Sequence, residues 1–205
     1  MESTGHGLYR AEHRALRELY ASARQLADHW DKLAGRIAGQ AEPVLRRGVA
    51  DCEELLDELA ARTEERGLHG FPAADGVGAR LAGLRNSAGD LLLERNQALR
   101  SAVLDVQHLT TLLAYLGRLA ATRGDHELAG FHQHWEERLR EVEADARSAA
   151  VDLGCDPPGA VIPADQGALG RAGHRVACAM GTAGEAFDNS ALGRAARGLT
   201  ARGAG

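Results

Sequence analysis

The sequence predicts an all-α protein, built as an antiparallel four-helix bundle with a Gly/Ala-rich C-terminal extension. Apolar residues recur at helical spacing in four long segments. The 205-residue chain is 44% hydrophobic but only 4% aromatic, a composition that favours helices over sheets. This length suffices for one domain with a real core. We expect a flexible N-terminus over 1–7, the bundle over 8–153, and a partly helical or disordered extension over 154–205.

The first two helices are expected to form a hairpin. The first runs from about Leu8 to Ala38 and the second from about Pro43 to Arg66, with only a short connection between them. Glu12 lies on the apolar stripe of the first helix. A carboxylate in that position must be paired with a cation, bound to a metal or protonated, because a bare buried charge is too costly. The other members of the stripe are Leu8, Ala15, Leu16, Leu19, Ala23, Leu26, Trp30, Leu33 and Ile37.

A second hairpin is expected from the third and fourth helices. The third covers about 90–122 and ends at Gly124, and Asp125 can cap the fourth, which continues to about 153. The connection between the two hairpins is much longer and contains a short predicted helix at 79–86. Two helical hairpins joined by a long crossover form the ferritin-like type of bundle.

The C-terminal extension has a different composition. Pro157 and Pro158 are expected to end the fourth helix. A weak helical stretch follows over 167–187, and a five-residue repeat occurs at 168–172 and 191–195. The extension is read either as a loosely packed tail or as a peptide that binds a partner.

Charge and cysteine content narrow the class of protein. The net charge of −5 and a pI near 6.0 give no attraction to nucleic acid or to an anionic membrane surface. No apolar run reaches transmembrane length. The three cysteines, Cys52, Cys155 and Cys178, are widely spaced and include no CxxC pair, which argues against a disulfide framework or a zinc site. We expect a soluble protein of a reducing cytoplasm, and the Arg- and Ala-rich composition is typical of a GC-rich bacterial genome.

Four short motifs resemble a known family. The sequences at 8–12 (Leu-Tyr-Arg-Ala-Glu), 51–54 (Asp-Cys-Glu-Glu), 106–108 (Val-Gln-His) and 135–137 (Trp-Glu-Glu) are similar in order and helix placement to those of the YciF-like branch of the ferritin-like superfamily. The resemblance covers roughly residues 8 to 153. It implies inward carboxylates and histidines that hold two iron or manganese ions, in a stress protein or oxidoreductase. The residues it offers as ligands are Glu12, Gln107, His108, His132 and Glu136.

The ligand positions do not support that metal site when they are followed around each helix. A di-metal site needs about four Glu and two His converging on the interior. Cys52 occupies an inward position on the second helix, and Gln107 replaces an acid on the third. His132 and His134 diverge by about 200° and cannot share an ion. We therefore expect no metal, cofactor or catalytic residue, and we expect both histidines to be solvated or at the edge of the core.

A structural ion pair is the alternative interpretation of Glu12. Counted from the turn between the first two helices, Glu12 lies at the level of Arg66, which falls on the inward stripe of the second helix. We predict that Glu12 and Arg66 pair near one end of the bundle and fix the register of the hairpin. Cys52 is expected to be a buried, inert thiol.

The third helix provides the clearest indication of function. Its first apolar stripe serves the core, and a second, nearly opposite one must be covered by the extension, the crossover or another subunit. No P-loop, GxGxxG turn or Gly-x-Ser-x-Gly motif is present. We predict a non-catalytic scaffold that self-associates or docks a protein partner. The alternatives are the di-metal protein and, more weakly, a cargo protein docked through its C-terminal tail. The predicted interaction surface consists of Leu104, His108, Leu112, Tyr115 and Leu119.

Overall fold

The computed structural model describes residues 8–37, 39–66, 93–168, 170–176 and 178–179, and within these ranges the chain is helical without strands. The all-α prediction is confirmed for this part of the chain. None of its helices is both long and apolar enough to cross a membrane. The elements are α1 (Arg10–Ala34), α2 (Ala41–Glu64), α3 (Arg95–Arg123), α4 (His126–Asp152), a 3-10 turn (Leu153–Cys155) and a short helix, α5 (Pro157–Ala160).

The turn between α3 and α4 follows from two residues. Gly124 has a φ of +81°, in the left-handed region where glycine pays no Cβ penalty, and it ends α3. The Asp125 carboxylate accepts a hydrogen bond from the Leu128 N–H at 3.0 Å and so caps the N-terminus of α4. Both roles agree with the sequence prediction.

The two prolines act differently from the prediction. Helix α4 ends at Asp152, and Pro157 and Pro158 begin α5 instead of ending α4. The first turn of a helix tolerates proline because its N–H would have no intrahelical partner there. The Asp156 carboxylate caps this turn by accepting from the Gly159 N–H at 3.1 Å.

After α5 the chain returns to the start of α3. The Arg95 N–H donates to the Ile162 carbonyl and the Ala164 N–H donates to the Leu93 carbonyl, each at 2.9 Å. Ala164 is fully buried. Residue 168 and residues 170–176 and 178–179 are again helical. The predicted helix at 79–86 and the second copy of the repeat, at 191–195, lie outside the described residues.

Helices α1 and α3 are neighbours and run antiparallel. Glu12, near the start of α1, contacts Arg123, the last residue of α3. His29, near the end of α1, contacts Asp105 in the first half of α3 at 2.7 Å. Each hairpin also packs internally, α1 on α2 and α3 on α4.

Helices α2 and α4 form the fourth antiparallel contact. Arg47 binds Asp145 at 2.6 Å, and one end of the contact is closed by Arg62 and Glu127. Because α2 and α3 are each antiparallel to the same neighbours, they run in the same direction. The C-terminus of α2 and the N-terminus of α3 therefore lie at opposite ends of the helices.

The core between the four helices is aliphatic around two tryptophans. Trp30 of α1 and Trp135 of α4 are both fully buried. Trp30 packs directly on the backbone of α2 at Gly48, where an added Cβ would lie 2.3 Å from the ring. The indole N–H of Trp135 donates to Glu58 at 3.0 Å. Leu8, at the start of the predicted α1 stripe, is half-buried, and the members that follow are all buried: Ala15, Leu16, Leu19, Ala23, Leu26, Trp30, Leu33 and Ile37.

Candidate functional site

Glu12 is fully buried, as the sequence predicts, and its partner is Arg123. The guanidinium donates from Nη2 to Oε1 at 2.9 Å and from Nε to Oε2 at 3.1 Å. This two-point geometry is the strong form of an Arg–carboxylate pair. The pKa of Arg123 is raised above its ordinary value, chiefly by the hydrogen bond to Glu12.

Arg66 forms its ion pair with Asp125 and not, as the sequence predicts, with Glu12. Its Nε and Nη2 donate to the two oxygens of Asp125 at 3.0 and 3.2 Å. Arg123 also donates to Asp125 at 3.1 Å, so the four groups alternate in sign along one chain of hydrogen bonds. The hydrogen bond from Arg66 is the main reason why the pKa of Asp125 falls to about 2. The predicted direct pair of Glu12 with Arg66 is therefore wrong, because Glu12 pairs with Arg123 instead. Both predicted residues nevertheless belong to one set of linked ion pairs at this end of the helices, which we call the end network: Glu12, Arg123, Asp125 and Arg66.

The reason for that error is geometric. The height of Glu12 along the first hairpin does place it level with Arg66, at the end of α2. The C-terminus of α3 arrives at the same level, and α1 packs against α3. Arg123, the last residue of α3, is therefore close enough to bind the Glu12 carboxylate directly.

An open cleft of about 520 Å³ lies over the end network. Its lining includes Arg66 and Arg123, but both guanidinium groups are already bound to carboxylates, and Glu65 and Glu127 add further negative charge. The positive charges of the two arginines are thus balanced by Asp125 and Glu12. The cleft therefore offers no free cation to an anionic ligand.

His132 corrects another sequence expectation. It is fully buried rather than solvated or at the edge of the core, and its Cβ lies 3.6 Å from where a Cβ on Gly117 would stand. Neither ring nitrogen has a hydrogen-bond partner among the described residues. Burial, followed by the nearby positive charge of Arg66, lowers the pKa of His132 to about 4. The ring is therefore neutral at physiological pH. His134, two residues on, is exposed as predicted.

The remaining residues offered as metal ligands lie in separate pairs. The Gln107 amide donates to Glu143 at 2.9 Å, and the His108 ring lies 3.3 Å from Glu18 on the surface. Glu136 binds Arg140 one helical turn away at 2.6 Å. Within the described residues they do not converge with Glu12 or His132 into a group that could hold an ion.

A second ion cluster, in which Asp51 is buried and Arg138 and Glu54 are partly exposed, links α2 to α4. Asp51 is 5% exposed and binds Arg138 at 2.5 Å, and Arg138 also binds Glu54 at 2.6 Å. The guanidinium lies 4.7 Å from the centre of the Trp135 ring, close enough for a cation–π contact. Next to Asp51, burial raises the pKa of the Cys52 thiol to about 12. That thiol is protonated at neutral pH and is a poor nucleophile.

The predicted interaction surface of α3 is only partly exposed. Leu104 is 65% exposed and Tyr115 is 47% exposed, and His108 between them is also exposed. Leu112 is buried at 8% and Leu119 is half-buried, so these two belong to the edge of the core. The apolar face available on the described chain is therefore narrower than the sequence predicts.

One cluster was missed by the sequence reasoning. Glu94, His174 and Cys178 place an oxygen, a nitrogen and a sulfur close together at the start of α3. His174 and Cys178 belong to the C-terminal helical segment, which comprises residues 168, 170–176 and 178–179 of the described chain. The available signal was the spacing of His174 and Cys178, which puts two metal-binding side chains on one face of a helix. The expectation against zinc considered only CxxC pairs.

The chain has no match among protein-family models, curated proteins or solved structures. The ferritin-like resemblance therefore rests on the sequence motifs alone.

Proposed function

We propose that this protein is a non-catalytic cytoplasmic scaffold with a ferritin-like four-helix bundle, and that it self-associates through the outer face of α3. The observation that carries the proposal is the internal pairing of its buried charges. Glu12 is bound by Arg123, and Asp51 is bound by Arg138. Pairing of this kind holds helices together, and it engages the carboxylates of Glu12 and Asp51 with arginines rather than leaving them poised for metal or acid–base chemistry.

The end network has the properties of a register lock. It joins the start of α1, the end of α2 and the turn between α3 and α4, and Glu12 and Arg123 are almost fully buried. The resemblance to a metal-binding family is compatible with this arrangement if an ancestral site has been replaced by ion pairs. Replacing one member of a buried pair is expected to cost about 3–5 kcal/mol of stability, so such a lock is well suited to a scaffold.

The outer face of α3 supports self-association. Leu104 and Tyr115 are eleven positions apart, which places them within about 20° of each other on the helix. In an antiparallel two-fold contact of α3 with a second copy, Leu104 of one copy would meet Tyr115 of the other, twice. His108 and Glu18, exposed beside this line, would provide the polar rim that protein interfaces carry.

The test is the mass of the protein in solution. We expect a dimer by light scattering coupled to size exclusion, and a monomer for the double variant Leu104→Glu/Tyr115→Glu. Val151→Glu is the matched control, because Val151 is an equally exposed apolar residue near the end of α4. A wild-type protein that stays monomeric at high micromolar concentration would contradict self-association. A dimer that survives the double substitution would contradict the assignment to this face.

Metal analysis addresses the main alternative, a di-metal stress protein or oxidoreductase. About two iron or manganese ions per chain in protein purified without chelator would overturn the proposed function. The weaker alternative is a cargo protein docked through its C-terminal tail, the extension predicted over 154–205, of which residues 180–205 lie outside the described chain. Deletion of residues 164–205 should leave the dimer intact.

A further inference from the structure

Three ligand atoms of different chemistry converge outside the helical core. A carboxylate oxygen of Glu94, a ring nitrogen of His174 and the sulfur of Cys178 all lie within 4.8 Å of one another. The Nε2 atom of His174 is 3.3 Å from the Cys178 sulfur. Within the described residues this is the single group of three or more such side chains close enough to share an ion.

The fold brings these side chains together from distant parts of the chain. Glu94 is the N-cap residue of α3, and it pairs through its backbone with Pro163 in an isolated bridge. The Asn96 side chain donates to the Ala160 carbonyl at 2.9 Å and fixes the same junction. These bonds anchor the chain next to Glu94 just before the helical segment begins.

The helical segment then presents its two ligands in one direction. His174 and Cys178 are four residues apart, so their side chains lie one turn above each other on one face. His174 and Glu94 are half-buried and Cys178 is exposed, which leaves the group accessible to an ion from solvent.

The ligand set is selective. Thiolate sulfur, imidazole nitrogen and carboxylate oxygen are together typical of Zn²⁺, whereas Mg²⁺ and Ca²⁺ prefer oxygen ligands alone. Tetrahedral coordination with the usual Zn–S and Zn–N lengths would separate the sulfur from the nitrogen by about 3.6 Å. The observed 3.3 Å is close to that value.

We propose that Glu94, His174 and Cys178 bind one zinc ion, which fastens the C-terminal helical segment to the N-terminus of α3. Three protein ligands leave a fourth position for water. The thiol releases its proton to solvent when the zinc–sulfur bond forms, so the affinity rises with pH. The site shares no residue with the di-metal alternative and is independent of self-association through α3.

The first test is a metal titration of full-length protein freed of metal by a chelator. We expect one zinc ion per chain, and with Co²⁺ as a probe we expect thiolate-to-cobalt charge-transfer absorption. Cys178→Ser should abolish that absorption and weaken zinc binding by about tenfold or more, and His174→Gln should weaken binding similarly. Glu94→Gln should also weaken it, while its amide can still accept at the N-cap.

Cys155→Ser is the matched control, because Cys155 is exposed in the 3-10 turn and lies outside the cluster. It should bind zinc like the wild type. Equal zinc affinity in the wild type and in Cys178→Ser would overturn the proposal, as would loss of binding in Cys155→Ser.

A second measurement reports on the fastening itself. Zinc should slow backbone amide exchange across 170–176 in the wild type, and it should have no such effect in His174→Gln. These substitutions lie outside the four-helix core, so the far-UV circular dichroism of the variants should stay close to that of the wild type. Zinc binding without any change in exchange at 170–176 would place the ion elsewhere and overturn the assignment.

Discussion

Arg123 holds the buried carboxylate of Glu12 with two hydrogen bonds, at 2.9 and 3.1 Å, and so ties the start of α1 to the end of α3. The contact neutralises the charge of Glu12, the fully buried carboxylate on the apolar stripe of α1. A buried acid bound by a guanidinium has a structural role, and the hydrogen bonds of the end network continue through Asp125 to Arg66, just beyond the end of α2.

Glu12→Gln should destabilise the protein by about 3–5 kcal/mol, because it leaves the buried Arg123 short of one carboxylate. Urea unfolding followed by circular dichroism measures the loss. In double-mutant cycles, Glu12→Gln should couple to Arg123→Gln by about 0.5–3 kcal/mol and more weakly to Arg66→Gln. Equal coupling to the two arginines would argue against Arg123 as the direct partner.

Asp125→Asn should lower stability near neutral pH by about 2 kcal/mol, because it removes the negative charge between two arginines and its amide nitrogen cannot accept their hydrogen bonds. Asn is as good an N-cap as Asp, so the start of α4 should survive. The folded-state pKa of Asp125, about 2, lies below its ordinary value. The wild-type advantage is therefore present above about pH 4 and lost as the pH falls towards 2. Asp57→Asn, at an exposed position of α2, should show neither effect; a pH-independent loss in Asp125→Asn would contradict this assignment.

His132→Leu should be at least as stable as the wild type near neutral pH, since it removes a buried polar ring that has no hydrogen-bond partner among the described residues. The folded-state pKa of about 4 lies below the ordinary histidine value, so the unfolded chain binds the proton more readily. Wild-type stability should therefore fall by about 3 kcal/mol as the pH decreases from about 6.5 to 4. His132→Leu should lose this part of the pH dependence, whereas His134→Gln should keep it. A large loss of stability in His132→Leu at neutral pH would mean that the ring is hydrogen-bonded after all.

Gly48→Ala should destabilise the protein by about 1–3 kcal/mol, because its Cβ would lie 2.3 Å from the buried ring of Trp30. The gain in helix propensity, about 1 kcal/mol, offsets only part of this overpacking. Gly130→Ala is the matched control in α4, where a Cβ would meet nothing within 4 Å, and it should be stabilising. Thermal unfolding of the two variants distinguishes the effects. If both substitutions stabilise, α2 does not approach Trp30 this closely.

The long helices could be predicted because their signals are local. The stripe around Trp30, the left-handed Gly124 and the cap at Asp125 each depend on neighbours in sequence, and all three are found in the described chain. The prediction for Pro157 and Pro158 was wrong because proline is common both just after the end of a helix and in the first turn of a new one.

The partners of the polar side chains could not be predicted in the same way. His132 lies at the edge of an apolar stripe, and whether an edge residue is buried depends on how closely the next helix approaches, here at Gly117. The nearness of Glu94 to His174 and Cys178 likewise requires the chain to turn back after α5, and no local pattern specifies that return.

The sequence by itself determined the all-α class, the approximate ends of the four long helices and most of the inward face of α1, because apolar periodicity and capping act within one or two turns. Only the tertiary structure decided that Arg123 forms an ion pair with Glu12 while Arg66 forms one with Asp125. Long arginine side chains can reach several carboxylates, and the choice among them depends on which helices are neighbours and at what height they end.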